Sequence, residues 1–466
     1  MRRGYVTVFY TIAIALILSL LTVMFEGIKD NAARMKAVCA LDTAMTSIFA
    51  EYNKALWDRY GLIFVDSGYM SKTSSMGLSE EHLRNFLNEN FDECRLGISG
   101  GKDLLKLQCT EAEATAVCLA SDDNGAAIKR QAVNLMKYHY KLAYSDVVDD
   151  WIADIGEHGL SEGASYENAV SAAGELNAEY HIDYSGWLPS QTGGNDISED
   201  TPGIFSILAL VTDTDGLSTV KIDPKLYAAE RKLNTGNLEK ETEGETGDFF
   251  FLREYLYRFT SNYRNDENRG VLTYETEYLV SGKVSDVDNL SSVVRRIFVI
   301  REAANQLTLC SDSEKLEKIE TFCEIVCSLV GCPEAAELLA LVVMAAMVSA
   351  ESIADLRIIM DGGRVPLIKS SDQWISGLGL GLFTGYDGSD YTEGLSYGDY
   401  LKIFMYLTGE NKLMSRFMSL IEMNVRATEG NENFRIDCCF DEIQFLVRIS
   451  SDYGYTYTAQ RRKAVE

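Results

Sequence analysis

The hydrophobic pattern of this chain changes character three times, and its first stretch is the most regular. Tyr5 to Phe25 (YVTVFYTIAIALILSLLTVMF) holds no charge, no Gly and no Pro. Arg2 and Arg3 stand before it; Glu26, then Lys29, follow. As a helix rising about 1.5 Å per residue, the run reaches about 32 Å, enough to cross the hydrocarbon core of a bilayer. Past it, Met24, Ile28, Met35, Val38, Leu41, Met45, Ile48, Tyr52 and Ala55 recur at spacings of four and three, with a polar break at Asn31. No Pro interrupts residues 5–60 and Gly61 offers a stop. The pattern predicts one helix of about 55 residues, a membrane span continuing into a stalk, with Gly27 as a hinge. The stalk seam is Met35, Val38, Leu41, Met45, Ile48 and Tyr52, and it faces either the chain's own domain or the stalk of a second copy.

Further along, Leu62 to Val65 starts a short strand, and Ser79-Glu80-Glu81 caps a helix carrying Leu83, Phe86, Leu87 and Phe91. From Leu105 to Ala120 the period becomes two, which predicts a long strand or a hairpin. Helices are expected from about Ile128 to Ile155, Ser165 to Tyr180, and over 249–263, 286–309, 313–330 and 334–360. Leu338 to Ala350 is uncharged but too short to span a bilayer, so it is assigned to a core helix. Two more helices are expected over 399–408 and 411–427. Antiparallel strands close the chain, at Phe434 to Cys439, Ile443 to Ile449 and Tyr453-Tyr455-Tyr457. Polar stretches at 185–203 and 233–247 mark boundaries.

The expected organisation is a stub at 1–4 and a span at 5–25. A stalk at 26–60, an α+β domain at 61–184, a linker-rich segment at 185–247 and a helical domain with C-terminal strands at 248–466 follow. The fold class is α+β, predominantly α-helical, with small antiparallel sheets.

Composition adds three constraints. The 466 residues carry 70 Asp+Glu against 43 Lys+Arg, a formal charge of −27, which disfavours nucleic acid and anionic lipid as partners of the main body. Only five Pro favour long helices. The ten Cys show no C-x-x-C, and Cys323, Cys327 and Cys332 have no His nearby, so apolar thiols are expected, with disulfides only in an oxidising compartment.

Catalytic signatures are sparse. His82, His139, His158 and His181 sit in separate elements, and neither H-E-x-x-H nor G-x-S-x-G occurs. Gly377-x-Gly379-x-Gly381 lacks the strand and the Lys-Ser/Thr of a phosphate loop, and Asp213-Thr214-Asp215-Gly216 lacks the closing Glu of a calcium loop. No catalytic residue, cofactor or metal is assigned. A carboxylate pair remote in sequence could still serve a hydrolase.

Orientation rests on Arg2 and Arg3 against Lys29, Arg34 and Lys36, a near balance. The N-terminus is expected inside, with the bulk extracytoplasmic. Phe25 to Lys29 offers no small-x-small cleavage site, so a retained anchor is expected over a signal peptide.

The opening RRGYVTVFYTIAIALILSLLTVMFE resembles the N-terminal segment of TadE/TadG-like proteins of tight-adherence pilus systems. In these, a basic residue and Gly precede one apolar span and a long helix leads to an outside domain. Prepilin-like proteins are cut after such a Gly and carry Glu five residues later; here that position is Phe9, which implies anchoring without processing. Ser47 to Phe64, Leu119 to Val133 and Gly362 to Trp374 are similar to patches of an uncharacterised Gram-positive bacterial family with the same N-terminus. The resemblance implies topology and a pilus or secretion setting, and no functional residues. The expected role is a membrane-anchored structural or assembly protein of the cell envelope, with envelope partners and self-association through the stalk. The alternatives are an envelope-anchored carboxylate-dependent hydrolase and a bitopic sensor acting through a partner.

Overall fold

A computed structural model describes residues 2–69, 71, 75–91, 105–143, 202–213, 216–238, 248–330, 332–370, 373–375 and 394–465. The helices are α1 (Arg2–Ala50), α2 (Lys54–Tyr60), α3 (Met76–Phe91), α4 (Ala126–Ala143), α5 (Pro202–Val211), α6 (Asp248–Phe259), α7 (Glu275–Ser281), α8 (Asp286–Cys310), α9 (Ser313–Val330), α10 (Ala336–Met360), α11 (Tyr397–Leu407) and α12 (Glu410–Arg426). The strands are β1 (Val65–Asp66), β2 (Leu107–Leu119), β3 (Cys439–Ser451) and β4 (Thr456–Ala464). The described chain is predominantly helical with one small antiparallel sheet. The expected helix at 165–180, the linker up to residue 201 and the glycines at 377–381 lie outside the described residues; the linker's last two positions, Pro202 and Gly203, open α5.

Two compact units form: Met1–Ala132 with Lys232–Gly244 and Ile421–Glu466, and Val133–Arg231 with Glu245–Leu420. The first unit therefore joins both ends of the chain, where contiguous domains at 61–184 and 248–466 were expected. β3 is the reason. Its first five residues are buried in a row and alternate positions are buried after them, and it is paired along both edges, which makes it the central strand. It pairs antiparallel with β2 on one side, Leu107 opposite Ser451, and with β4 and the short β1 on the other.

The period-two segment at 105–120 is one strand, β2, not a hairpin. Its outer edge is closed by side chains: the N–H groups of Cys109, Ala114, Val117 and Leu119 donate to Asn88, Glu80, Asn237 and Asp122. Unpaired strand edges invite association, and these carboxylates and amides block this one. Asn237 and Gly236 belong to the polar stretch 233–247 read as a linker; its described part, up to Leu238, packs along β2 instead, with Asn237 N–H donating to Val117 C=O at 3.1 Å. Phe434 to Cys439, expected as a strand, includes a 3-10 turn at Ile436–Cys438.

The predicted 55-residue helix is two helices. α1 ends at Ala50, and Asn53 caps α2, its side chain accepting from Leu56 N–H at 2.9 Å and donating to Asn431 at 2.9 Å. Asn favours such caps over helix interiors, which places the break. Gly61, with φ 65°, ends α2 as read. α3 begins before Ser79, which is buried within it; Ser75 Oγ accepts from Gly77 N–H at its start.

In the second unit α8 is the central helix, with α5, α7, α9 and α10 packed on it. α10 has two faces. Ala340, Met347 and Val348 are buried, whereas Leu338 and Val342 are more than half exposed, so the assignment of Leu338 to Ala350 to a core helix holds for one face only. A groove of about 360 Å³ between α9 and α10 is lined by Val326, Val330, Leu338, Leu339 and Val342.

Candidate membrane interface

The N-terminal half of α1 has no packing partner among the described residues. Every large apolar side chain from Val8 to Ile28 is exposed, from 47% at Leu21 to 69% at Phe9. A helix apolar all round and bare all round matches lipid rather than water. Three of its aliphatic hydroxyls bond to the helix backbone: Thr11 donates to Thr7 C=O (3.0 Å), Ser19 to Leu16 C=O (2.9 Å) and Thr22 to Leu18 C=O (2.8 Å). Such back-bonding lets these three hydroxyls sit in hydrocarbon without water. Length and composition make this segment a candidate membrane span, a test that a signal sequence also passes. Arg2 and Arg3 fall in its first turn, and Glu26 lies just past the run.

The C-terminal half of α1 is seated on the first unit. Its buried line is Ala33, Ala37, Ala40, Leu41, Ala44, Met45 and Ile48, packed with Leu83, Leu87 and Phe91 of α3 and with Phe445 and Val447 of β3. Leu41, Met45 and Ile48 were in the expected seam. Met35 (71% exposed), Val38 (38%) and Tyr52 (37%) were too, and the structure leaves them outside this core. The seam drawn through large residues missed the alanines, which face the core because small side chains let a helix lie close to its neighbours.

Polar contacts fix the seat. Tyr457 of β4 donates to Asp30 at 2.7 Å, and Arg34 lies over its ring at 5.8 Å. Burial and the bond to Asp30 push the Tyr457 hydroxyl up to about 12. Lys29 Nζ lies 4.7 Å from the Tyr453 ring centre, Arg461 pairs with Asp42 at 3.0 Å, and Lys463 donates to Thr46 at 2.6 Å. At the far end Glu51 receives the Tyr69 hydroxyl at 2.8 Å and lies 3.0 Å from His82 Nδ1. Tyr69 holds φ 45°, a costly conformation for a non-glycine residue, where the chain leaves β1.

Several buried ionisable groups elsewhere pair with one another. In the second unit Arg301 Nη2 donates to Asp355 at 2.7 Å, Lys369 pairs with both Asp355 and Glu351, and all four side chains are excluded from solvent. Arg301 also holds the carbonyls of Pro366 and Leu367 at 2.7 and 3.0 Å, tying the 366–369 segment to α8. Burial opposes the charge on Lys369, but Asp355 and Glu351 hold its pKa above the ordinary range. In the first unit Asp437 pairs with Arg435, Asp441 with Arg130 and Glu422 with Arg426. Glu277 differs. Its Oε1 receives Tyr397 OH at 2.6 Å and Tyr263 N–H at 2.9 Å, but its buried Oε2 has no partner. Burial raises its carboxyl to about 7. It is fully enclosed, which suits a protonated structural acid better than a substrate-facing one. Among the described residues no group of three or more His, Cys, Asp or Glu could hold a metal ion.

A family model covers residues 198–451, more than half of the chain. The chain belongs to the family of unknown function DUF5702. That description names no catalytic activity. No curated protein and no solved structure matches. The family match includes the buried quartet, Glu277 and all of β3, and of the three quoted patches only Gly362 to Trp374 falls inside it. It does not reach α1, so the likeness to TadE/TadG-like proteins rests on the N-terminal residues alone.

Proposed function

We propose that this protein is a single-span, membrane-anchored structural or assembly component of the cell envelope, working with its acidic body outside the cytoplasm. The observation that carries the reading is the contrast within α1. Residues 7–28 present apolar side chains on all sides, and from Ala33 onward the same helix is built into a folded unit. A helix continuous across that transition couples the body to the bilayer without a flexible joint. The basic-Gly-apolar opening, similar to TadE/TadG-like proteins, supports a tight-adherence or related pilus setting for that anchor. Partners are envelope subunits or a second copy, met along the face of α1 that its own core leaves uncovered, where Met35, Val38 and Cys39 lie.

Two measurements test the reading. External protease on intact protoplasts should digest the body and spare a short N-terminal fragment; full protection would place the body inside and end the proposal. A photo-crosslinker at Met35 should capture a second copy or an envelope protein in living cells. Capture of neither would remove the assembly role while leaving the anchor standing.

A further inference from the structure

We infer that the β3–β4 turn, led by Tyr453, is a second membrane contact that sits in the phospholipid headgroup layer and locks the first unit against the bilayer. The inference rests on α1 being a retained span. It adds a surface that the span alone does not require.

The geometry comes from the contacts between β4 and α1. Asp30, Asp42 and Thr46 of the helix meet Tyr457, Arg461 and Lys463 of the strand in the same order. Between the first and last of these pairs the helix advances about 24 Å and the strand about 20 Å. The two elements therefore run side by side along nearly the same axis. Following β4 backward from Tyr457 leads toward the apolar run, and the chain reaches its turn there. Gly454 N–H donates to Ser451 C=O at 2.9 Å, and Gly454 takes φ 85°, as a short hairpin loop requires. Tyr453 is at the apex, 49% exposed, with Lys29 over its ring.

Lys29 lies four residues past Phe25, about 6 Å along the helix. The headgroup region adds roughly 5–8 Å on each side of the hydrocarbon core. A span ending near Phe25 therefore puts the Tyr453 ring in that layer. Tyrosine favours this depth because its ring is apolar and its hydroxyl polar. The start of β2 reaches the same end of the sheet: Lys106 C=O accepts from Asp452 N–H at 3.3 Å, and its ammonium pairs with Asp452 at 3.1 Å. Lys29 and Lys106 bring ammonium groups to phosphate height, each beside a carboxylate, Asp30 in sequence and Asp452 by its ion pair, so the contact rests on the tyrosine ring and not on net charge. The contact is local, and the bulk charge acts against any broader adsorption.

Depth-resolved fluorescence tests this on the full chain in vesicles of phosphatidylcholine containing one-quarter phosphatidylglycerol. Y453W is compared with Q460W, whose exposed position beside Arg461 lies about 18 Å farther along α1 from the bilayer. Lipids brominated near the headgroup should quench about half of the emission added by Y453W and leave that added by Q460W unchanged. D452W, at the neighbouring exposed turn position, should behave like Y453W and guards against a local effect of one substitution. If the protein floats with vesicles but neither turn probe is quenched above Q460W, the headgroup contact is wrong and the anchor survives. If the protein does not float with vesicles at all, both fall.

Discussion

Glu277 and Asp355 are both buried acids, and their surroundings predict opposite behaviour. The folded pKa of Glu277 is raised to about 7, so the folded chain keeps a proton that the unfolded chain releases. Stability from this group is complete below the ordinary carboxyl range and is lost as pH rises from about 4.5 to about 7, by roughly 3 kcal/mol at most. E277Q mimics the protonated form, keeps an acceptor for Tyr397 and should flatten that slope; denaturant titrations at pH 5 and pH 7.5 check it. Asp355 instead lies between the Arg301 guanidinium and the Lys369 ammonium. D355A strips buried Arg301 of its carboxylate and leaves Lys369 only Glu351, and should cost about 3–5 kcal/mol, read as a shift in the denaturation midpoint. Neither role was legible beforehand. With 70 acidic residues, nothing in the local pattern separates a buried carboxylate from a solvated one.

Elements were more legible than their partners. Periodicity located α8, α9, α10, α11 and α12 to within a few residues, because long amphipathic runs state their own period. It misjudged α1 at Asn53, where a side-chain cap overrides continuing apolar spacing, and it could not pair β2 with β3 across more than 300 residues of chain. The alanine line of α1 was missed for a related reason: large residues dominate a hydrophobic pattern, while close packing selects small ones. A44L tests that line. Ala44 is wholly buried against the first unit, and the added bulk should destabilise by about 1–3 kcal/mol. M35A, on the uncovered side of the same helix, should change stability by less than about 0.5 kcal/mol. On α9, Leu329 is 82% exposed, so L329S should be equally neutral for folding, with weaker binding of a hydrophobic dye.

For the chain as a whole, one claim organises the rest: the bare half of α1 lies in lipid and remains part of the mature protein. Residues 7–28 contribute no side chain to the core of the first unit, so removing the first 28 residues should release a soluble chain whose thermal midpoint matches that of the detergent-solubilised parent. The most direct measurement is alkaline carbonate extraction of native membranes followed by mass determination of the intact protein. The account predicts that the protein stays in the membrane pellet with the Tyr5 to Phe25 segment present. Release into the supernatant, or a mature mass lacking that segment, would contradict it.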